Sequence, residues 1–399
     1  MIRVVLKQCR RRRVEAGHPW VFDNEVARVE GEPGSGAVVE VVDHRGRFLA
    51  RGAFSARSRI RVRLLTWDPS EAVDAGLIRR RIAQAWALRE RILDAEALRA
   101  CRVVYSEADF LPGLVVDRFG DVVVVQVLSQ AMEPWTEAVL EAVQELFGPA
   151  AVHERSDAPV RELEGLKPRV GLLRGRLPDA VWIREHGLEL KVDVVSGQKT
   201  GFFLDQRQNR LAIRPFAREA RVLDCFAHTG GFALNALAGG ARHVTVVEVS
   251  PEALALAREN SERNGFAHRM ELREANAFDV LRDLDRAGER YDLVVLDPPA
   301  FARTRHALPN ALRGYKEINL RAMRLLEPGG FLATASCSGA VEPDVFLAML
   351  QEAAVDAHVI LRQVALQGQA ADHPVLPGAP ETRYLTFGIF QAFPRGGRR

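Results

Sequence analysis

Cysteine is scarce in this chain. Four occur in 399 residues, at positions 9, 101, 225 and 337. They are too scattered for a zinc-ligand spacing and too few for a disulfide framework, so no metal is expected. A reducing compartment, the cytoplasm, is the default expectation. No apolar run approaches the ~20 residues needed to cross a bilayer. The opening Met-Ile-Arg-Val-Val-Leu-Lys lacks a secretory apolar stretch, so a membrane is not an expected partner. Lysine is scarce too, at 5 residues against 50 arginines. That bias explains arginine in place of lysine, but not where the arginines sit. Residues 1–65 hold 14 Lys and Arg against 7 Asp and Glu, a local +7 in a chain of net charge +3. The remainder is therefore mildly acidic. A basic module on an acidic body points to a polyanion, and nucleic acid is the expected partner.

The length suggests two or three domains. Residues 1–67 read as a β-rich module. Alternating runs (37–42, 47–54, 60–65) are separated by Glu-Pro-Gly-Ser-Gly and His-Arg-Gly turns. In the last run arginine alternates with aliphatics, so one face would pack while the other presents guanidinium groups. His18-Pro-Trp-Val-Phe would anchor the module by burying Trp20 and Phe22. Asp68-Pro-Ser opens a central α+β domain, 68–186, with a long helix expected over 72–97. Strands near 102–106, 114–118, 122–128 and 151–155 follow, with a helix near 135–147. No chemical constellation is visible there. Residues 187–399 open on a hairpin-like segment and then alternate β and α patterns, as a doubly wound parallel α/β sheet does. Ser250-Pro251-Glu252 is a helix start and Gly265 its matching stop.

The chemistry lies in that last region. Asp224 ends an apolar strand that runs through Ala-His-Thr-Gly-Gly into a helix. This is the place of a dinucleotide fingerprint, but the phosphate-cradling glycine triad is missing. Glu248 closes the next strand. An acid there can hold both ribose hydroxyls, or it can cap the following helix. Asn276 could read the adenine amino group or cap a helix, and Phe278 could pack on the ring. Acidic ribose and adenine contacts without a phosphate loop suit S-adenosylmethionine better than NAD.

Asp297-Pro-Pro-Ala-Phe follows the strand Tyr291–Leu296. Its two prolines end strand pairing and fix Asp297 at the crevice. A solvated loop carboxylate is the plainer alternative. Cys337 ends another buried strand. A thiolate added at carbon 6 of a pyrimidine makes carbon 5 nucleophilic enough to accept a methyl group, and Asp297 could hold the ring edge. The plainer alternative for Cys337 is an inert core thiol. Cys225, within the strand before the cofactor loop, reads as such a residue, and Cys9 and Cys101 read as structural.

These motifs together resemble the bacterial large-subunit ribosomal RNA cytosine-5 methyltransferases that carry an N-terminal PUA domain. The resemblance runs end to end. Ser196-Gly-Gln-Lys-Thr-Gly-Phe-Phe-Leu-Asp-Gln-Arg-Gln-Asn-Arg is its most specific segment, and Asp372-His-Pro-Val-Leu completes it. It implies a Rossmann-like class I methyltransferase domain behind a PUA-like RNA-binding domain, S-adenosylmethionine as donor, and 23S rRNA or a large-subunit precursor as substrate. It carries the nucleophile onto Cys337, with Asp297 beside it, and implies that the Lys199–Arg207 segment borders the cofactor and base pocket. The expected cofactor contacts are Asp224, Phe226, Thr229, Gly230, Glu248, Asn276, Ala277, Asp297 and Gln206. The expected RNA contacts are Arg11, Arg12, Arg59, Arg61, Lys199 and Arg207. The chain departs from the family pattern at Asn276, often aspartate, and at Ala300 and Thr386, commonly lysine. No second cysteine lies beside Asp297, so the group that assists enzyme release is unassigned.

Two other function classes compete. An N-methyltransferase would use the same donor and need no cysteine; Asp-Pro-Pro followed by an aromatic resembles amino-methyltransferases, but here Ala300 intervenes before Phe301. A non-catalytic RNA-binding assembly factor would keep the basic module with an idle pocket. A homodimer is compatible with the sequence, which leaves the oligomeric state open.

Overall fold

The computed structural model describes residues 2–8, 13–302 and 305–396. By internal contact the chain forms two compact units. The first gathers Met1–Arg184, Val192–Leu204 and Ala371–Thr382, and the second Glu185–Lys191, Asp205–Ala370 and Arg383–Arg399.

The first unit begins with strands β1 (Arg3–Leu6), β2 (Trp20–Phe22), β3 (Val26–Glu30), β4 (Val38–Val42), β5 (Phe48–Phe54) and β6 (Ile60–Thr66). Among the described residues they form one sheet in the order β2-β6-β5-β4-β1-β3. Period-two alternation sends Val4, Val21, Val39, Val41, Val62 and Leu64 into a shared core. That corrects the expectation for residues 18–22. Val21 is fully buried, while Trp20 and Phe22 point to the opposite face and are only half-buried. Alternation says that neighbours part, not which one goes inward. Gly52 sits at a register shift where β5 meets β6, and a Cβ there would lie 2.2 Å from the Arg63 carbonyl oxygen.

Next come α1 (Ala75–Ile92), β7 (Ala100–Tyr105), β8 (Leu114–Phe119), β9 (Val122–Val127), α2 (Thr136–Phe147), β10 (Ala151–Ser156), α3 (Val160–Leu163) and β11 (Arg169–Gly175). Helix α1 is shorter than its apolar pattern suggested. The Asp74 side chain caps it by accepting from Leu77 N, and Asp94 starts a separate turn by accepting from Ala97 N. The strands order as β11-β10-β9-β8-β7. One face packs Val103, Val116, Val125 and Val152 against Leu77, Ile82, Val139 and Val143 of the helices. The other face is buried yet polar. Register aligns Arg102 with Asp117, Asp117 with Val124, and Val124 with His153. Strand β12 (Val181–Glu185) follows, and β13 (Leu188–Val192) lies almost wholly in the second unit.

The second unit contains α4 (Arg207–Ala212), β14 (Arg221–Cys225), α5 (Gly231–Ala238), β15 (His243–Glu248), α6 (Pro251–Arg263), β16 (Met270–Glu274) and α7 (Ala277–Ala287). It continues with β17 (Tyr291–Leu296), α8 (Leu308–Arg324), β18 (Leu326–Ser336), α9 (Pro343–Ala357), β19 (Val359–Gln367) and β20 (Thr386–Pro394). The sheet order is β16-β15-β14-β17-β18-β20-β19. Strands β14 to β18 pair in parallel, and β20 runs antiparallel to both its neighbours. Its central strands are buried on both faces, hence Leu293-Val-Val-Leu without polar alternation. The order reverses between β14 and β17. In an open α/β sheet that reversal opens a crevice at the carboxyl ends of the strands.

Candidate functional site

Four strand ends supply the site. Asp224 on β14 is fully buried. Its Oδ2 accepts the Ala233 N–H at 2.9 Å, while its Oδ1 has no hydrogen-bond partner. Burial pushes its carboxyl well above the usual carboxylate range. The backbone N–H of Ala233 opposes that shift, and the charges of Asp297 and Glu248 add to it. Two further carboxylates thus bear on Asp224 at these strand ends.

The loop from β14 to α5 is unusual in its backbone. Phe226 (φ 62°), His228 (φ 49°) and Gly230 (φ 79°) all occupy the left-handed region. For phenylalanine and histidine this costs about 1–3 kcal/mol each and persists only where the surroundings impose it. Here Phe226 N and Ala227 N donate to the Val247 carbonyl at 3.0 and 3.3 Å. His228 N donates to Glu248 Oε2 at 2.8 Å, and the Asn260 amide donates to the Thr229 carbonyl at 3.0 Å. The Thr229 hydroxyl is buried without a partner. Phe226 meets Phe278 and Phe301 edge-on, and Phe301 packs on Tyr315. Phe278 thus belongs to an aromatic wall.

Glu248 accepts from Val249 N and Ser250 N through Oε1 as well as from His228 N. Three backbone donors orient it and leave about one of its roughly four lone pairs for a ligand. Asn276 caps α7, its Oδ1 accepting from Phe278 N at 2.9 Å. The oxygen that would accept from an adenine amino group is thus already engaged. Ala277, the first residue of α7, is buried.

Asp297 is half-buried and braced through one oxygen. Gln206 Nε2 donates to its Oδ1 at 2.7 Å, and Gln206 Oε1 accepts from Asn209 Nδ2 at 2.6 Å. Asn209 also donates to the Gly368 carbonyl at 3.1 Å. Gln206 was expected to touch the cofactor; in the structure its Nε2 braces Asp297 and its Oε1 is held by Asn209. The Cys337 thiol donates to the Pro298 carbonyl at 3.4 Å, which brings it to the Asp-Pro-Pro turn. It is half-buried and not sealed in the core. Its neighbours hold it. Ser338 N donates to Ser336 Oγ, while Ser338 Oγ accepts from Ala302 N and bonds the Tyr315 hydroxyl. Burial pushes the Tyr315 hydroxyl up, keeping it protonated. Cys225 and Cys101 are fully buried, and burial pushes the Cys225 thiol well up.

The expected RNA contacts fare unevenly. Arg59 is exposed. Arg61 is not free to reach outward, since its Nη1 donates to the Ser55 and Ala56 carbonyls and its guanidinium lies 5.7 Å from the Phe54 ring. Arg63, the next arginine of that strand, is buried between Glu107 and Glu164. Arg207 is 2% exposed, so its place as first residue of α4 turns it inward, away from any RNA surface. Lys199 is exposed. Arg11 and Arg12, like Cys9, lie outside the described residues.

Sequence reasoning missed the Asn209–Gln206–Asp297 chain, the Asp205–Tyr384 hydrogen bond and the Tyr315–Ser338 contact. The one signal available was the spacing of Gln206 and Asn209, three apart at a helix start. Among the described residues no cluster of His, Cys, Asp and Glu could hold a metal ion. None of the described helices is long and apolar enough to cross a membrane.

Residues 169–378 match the model of the S-adenosylmethionine-dependent methyltransferase family, and residues 4–67 match a PUA-like domain. The chain is 44% identical over 385 residues to ribosomal RNA large subunit methyltransferase I of Klebsiella pneumoniae (strain 342), covering 96% of each. It is 43% identical over 386 residues to the protein of that name from Escherichia coli O139:H28, covering 96% of this chain and 98% of the other. A solved structure from Streptococcus mutans, described as a SAM-dependent methyltransferase, shares the fold. Its TM-score is 0.83 at 18% identity, over 98% of this chain and 100% of that one. The crevice suits the donor this family uses. S-adenosylmethionine is cationic at its sulfonium and carries no phosphate, and the crevice offers three carboxylates, one with an unpartnered buried oxygen. The chain therefore belongs to the family of S-adenosylmethionine-dependent methyltransferases that includes the ribosomal RNA large subunit methyltransferases I.

Proposed function

We propose that this enzyme methylates carbon 5 of a cytidine in large-subunit 23S ribosomal RNA, with Cys337 as the nucleophile. The observation that carries this reading is the Cys337 thiol bonded to the Asp297-Pro-Pro turn, at the strand ends that also hold Asp224 and Glu248. The named relatives act on ribosomal RNA of the large subunit, which supports the substrate class.

S-adenosylmethionine supplies an electrophilic methyl group. Glu248 would hold a ribose hydroxyl with its remaining lone pair and Asp224 would face its cationic end. The strained turn through Phe226, Thr229 and Gly230 would let the backbone approach it closely, with Asn276 and Ala277 beside the adenine. The target cytidine must leave its stack to enter the crevice. The Cys337 thiolate then adds to carbon 6, and Asp297, aimed by Gln206, holds the ring edge. Carbon 5 takes the methyl group from the sulfonium, whose sulfur keeps the bonding pair as a thioether; carbon 5 then loses its proton to a base as the bond between carbon 6 and the Cys337 sulfur breaks and returns the thiolate. Arg59 and Lys199 would meet RNA phosphates. A reducing cytoplasm, where such RNA is met, also keeps the thiol free.

The test is Cys337→Ala. It is expected to keep donor binding and to lose turnover by on the order of 10³-fold or more, the scale of removing a nucleophile. Undiminished formation of 5-methylcytidine by that variant, read by mass spectrometry of the RNA, would exclude the covalent route. A methyl group found on nitrogen would exclude the cytosine-5 reading.

A further inference from the structure

The segment around Lys199 is wound tightly on Asp193. The Asp193 carboxylate accepts from Val195 N and Ser196 N at 3.0 and 2.8 Å, and its carbonyl accepts from Gly197 N at 3.1 Å. A Cβ at Gly197 or Gly201 would lie 2.3 or 2.7 Å from that carbonyl oxygen, so both positions demand glycine. The winding makes a tip. Ser196, Gln198 and Lys199 are exposed, while Thr200 is entirely buried. Lys199 has φ 52°, a conformation rare outside glycine, and its Nζ lies 4.6 Å from the Phe203 ring centre.

What imposes that conformation is the polar face of the β7–β11 sheet. The Thr200 hydroxyl donates to Asp117 Oδ2 at 2.6 Å, and Arg102 donates to both Asp117 oxygens at 2.8 Å. On the other side of the tip, Arg155 donates to the Gly197 and Val194 carbonyls at 2.8 and 3.3 Å. Asp117 and Arg155 are both buried. A buried ionic network is poor value for stability alone, since apolar residues of similar volume often do as well. The chemistry of methyl transfer uses none of it. This network is joined instead to an exposed cation held in a strained backbone.

We propose that Thr200, Asp117 and Arg155 are positioning residues that hold the Ser196–Gly201 tip so that Lys199 meets an RNA phosphate. The proposal rests on the ribosomal RNA reading above and gives the central sheet a task in it. An ammonium set in place before binding loses less conformational freedom when the RNA arrives.

Methylation of ribosomal RNA extracted from a strain lacking this gene is measured for wild type, Thr200→Val, Thr200→Ser and Lys199→Ala. Donor affinity and melting temperature are measured alongside. Thr200→Val is expected to raise the RNA KM about tenfold, close to Lys199→Ala, with kcat and donor affinity unchanged, and Thr200→Ser to restore the wild-type value. Both Thr200→Val and Lys199→Ala are expected to lower the slope of log affinity against log salt by roughly 0.7–0.9, the signature of one lost phosphate contact. If Thr200→Val does not fold, Arg155→Met releases the other side of the tip and must give the same KM rise. The proposal is overturned if Lys199→Ala raises KM while Thr200→Val or Arg155→Met does not. It is overturned equally if the clamp variants change kcat or donor affinity, or if Lys199→Ala leaves KM and the salt slope unchanged. Failure of the wild type to methylate this RNA would sink the ribosomal RNA reading itself, a distinct result.

Discussion

The two units treat buried charge differently. In the first unit it comes matched. Arg89, fully buried, donates to both oxygens of Asp109 and to the carbonyls of Ala85, Arg102 and Asp372. Arg102 pairs with Asp117, and Arg63 with Glu107 and Glu164. The second unit follows the same rule away from its strand ends. Burial pushes Glu185 up, but the Arg210 guanidinium outweighs it and leaves the carboxyl below its ordinary range. At the strand ends the rule is broken. Asp224 is as buried as Arg89, yet its oxygens meet one backbone N–H, and two further carboxylates act on it. Scaffold charges are neutralised within the fold. The strand ends keep a buried carboxyl with no cation beside it among the described residues, and burial favours its protonated form.

Removing a scaffold partner tests the contrast most severely. Arg89→Met leaves the Asp109 carboxylate buried without its guanidinium and should cost about 3–5 kcal/mol of stability in urea unfolding. A loss below about 1 kcal/mol would mean that the pairing is not what holds the first unit. Asp224→Asn should do the reverse. It removes a carboxyl whose ionisation burial opposes, so above the raised value the ligand-free protein should melt about 2–4 °C higher. Donor affinity should fall about tenfold, or about 1.4 kcal/mol.

The pH dependence follows with the same sign. The folded Asp224 binds its proton above the range where the unfolded chain has lost it. Ligand-free stability from this group is therefore present at low pH and declines as pH rises through the raised value. Donor binding favours the carboxylate, so donor affinity should tighten with rising pH over that window, and Asp224→Asn should flatten the profile. Calorimetry at several pH values reads both. An identical pH profile in the two proteins would show that the charge of Asp224 plays no part.

Gln206→Leu removes the brace on Asp297 and leaves the strand ends otherwise intact. Turnover is expected to fall about tenfold while the donor Kd stays within about threefold, a hydrogen bond to a charged group being worth about 1.5–3 kcal/mol. If the donor Kd moves as much as turnover, Gln206 touches the cofactor after all. The smallest effect belongs to Arg28→Ala. Its pair with Glu30 is solvent-exposed, so stability should change by less than about 0.5 kcal/mol.

The doubly wound sheet was legible because its strands are buried on both faces. Leu293–Leu296 then reads as an unbroken apolar run, and Ser250 and Gly265 mark the start and stop of α6. Strands buried on one face, or lying at an edge, left weaker marks. The expectation for Trp20 and Phe22 chose the wrong face of a correct alternation, and β11 and β19 went unseen. The central domain looked empty of chemistry because its charged residues find their partners far along the chain. Asp117 meets Thr200 across 83 residues, and Arg89 meets Asp372 across 283. Arg61 and Arg207 could not be told from surface arginines, since composition does not reveal which guanidinium is turned inward.

Sequence alone determined which residues close the strands of the second unit: Asp224, Glu248, Asp297 and Cys337. A parallel sheet leaves such residues only one edge to occupy. Tertiary structure alone decided what each of them touches. It turned Gln206 into a brace, left one oxygen of Asp224 unpaired, and set the Lys199 tip on a buried ionic platform. Hydrogen bonds and ion pairs depend on distance in space, and these partners are brought within 3 Å only when strands and loops far apart in the chain pack together.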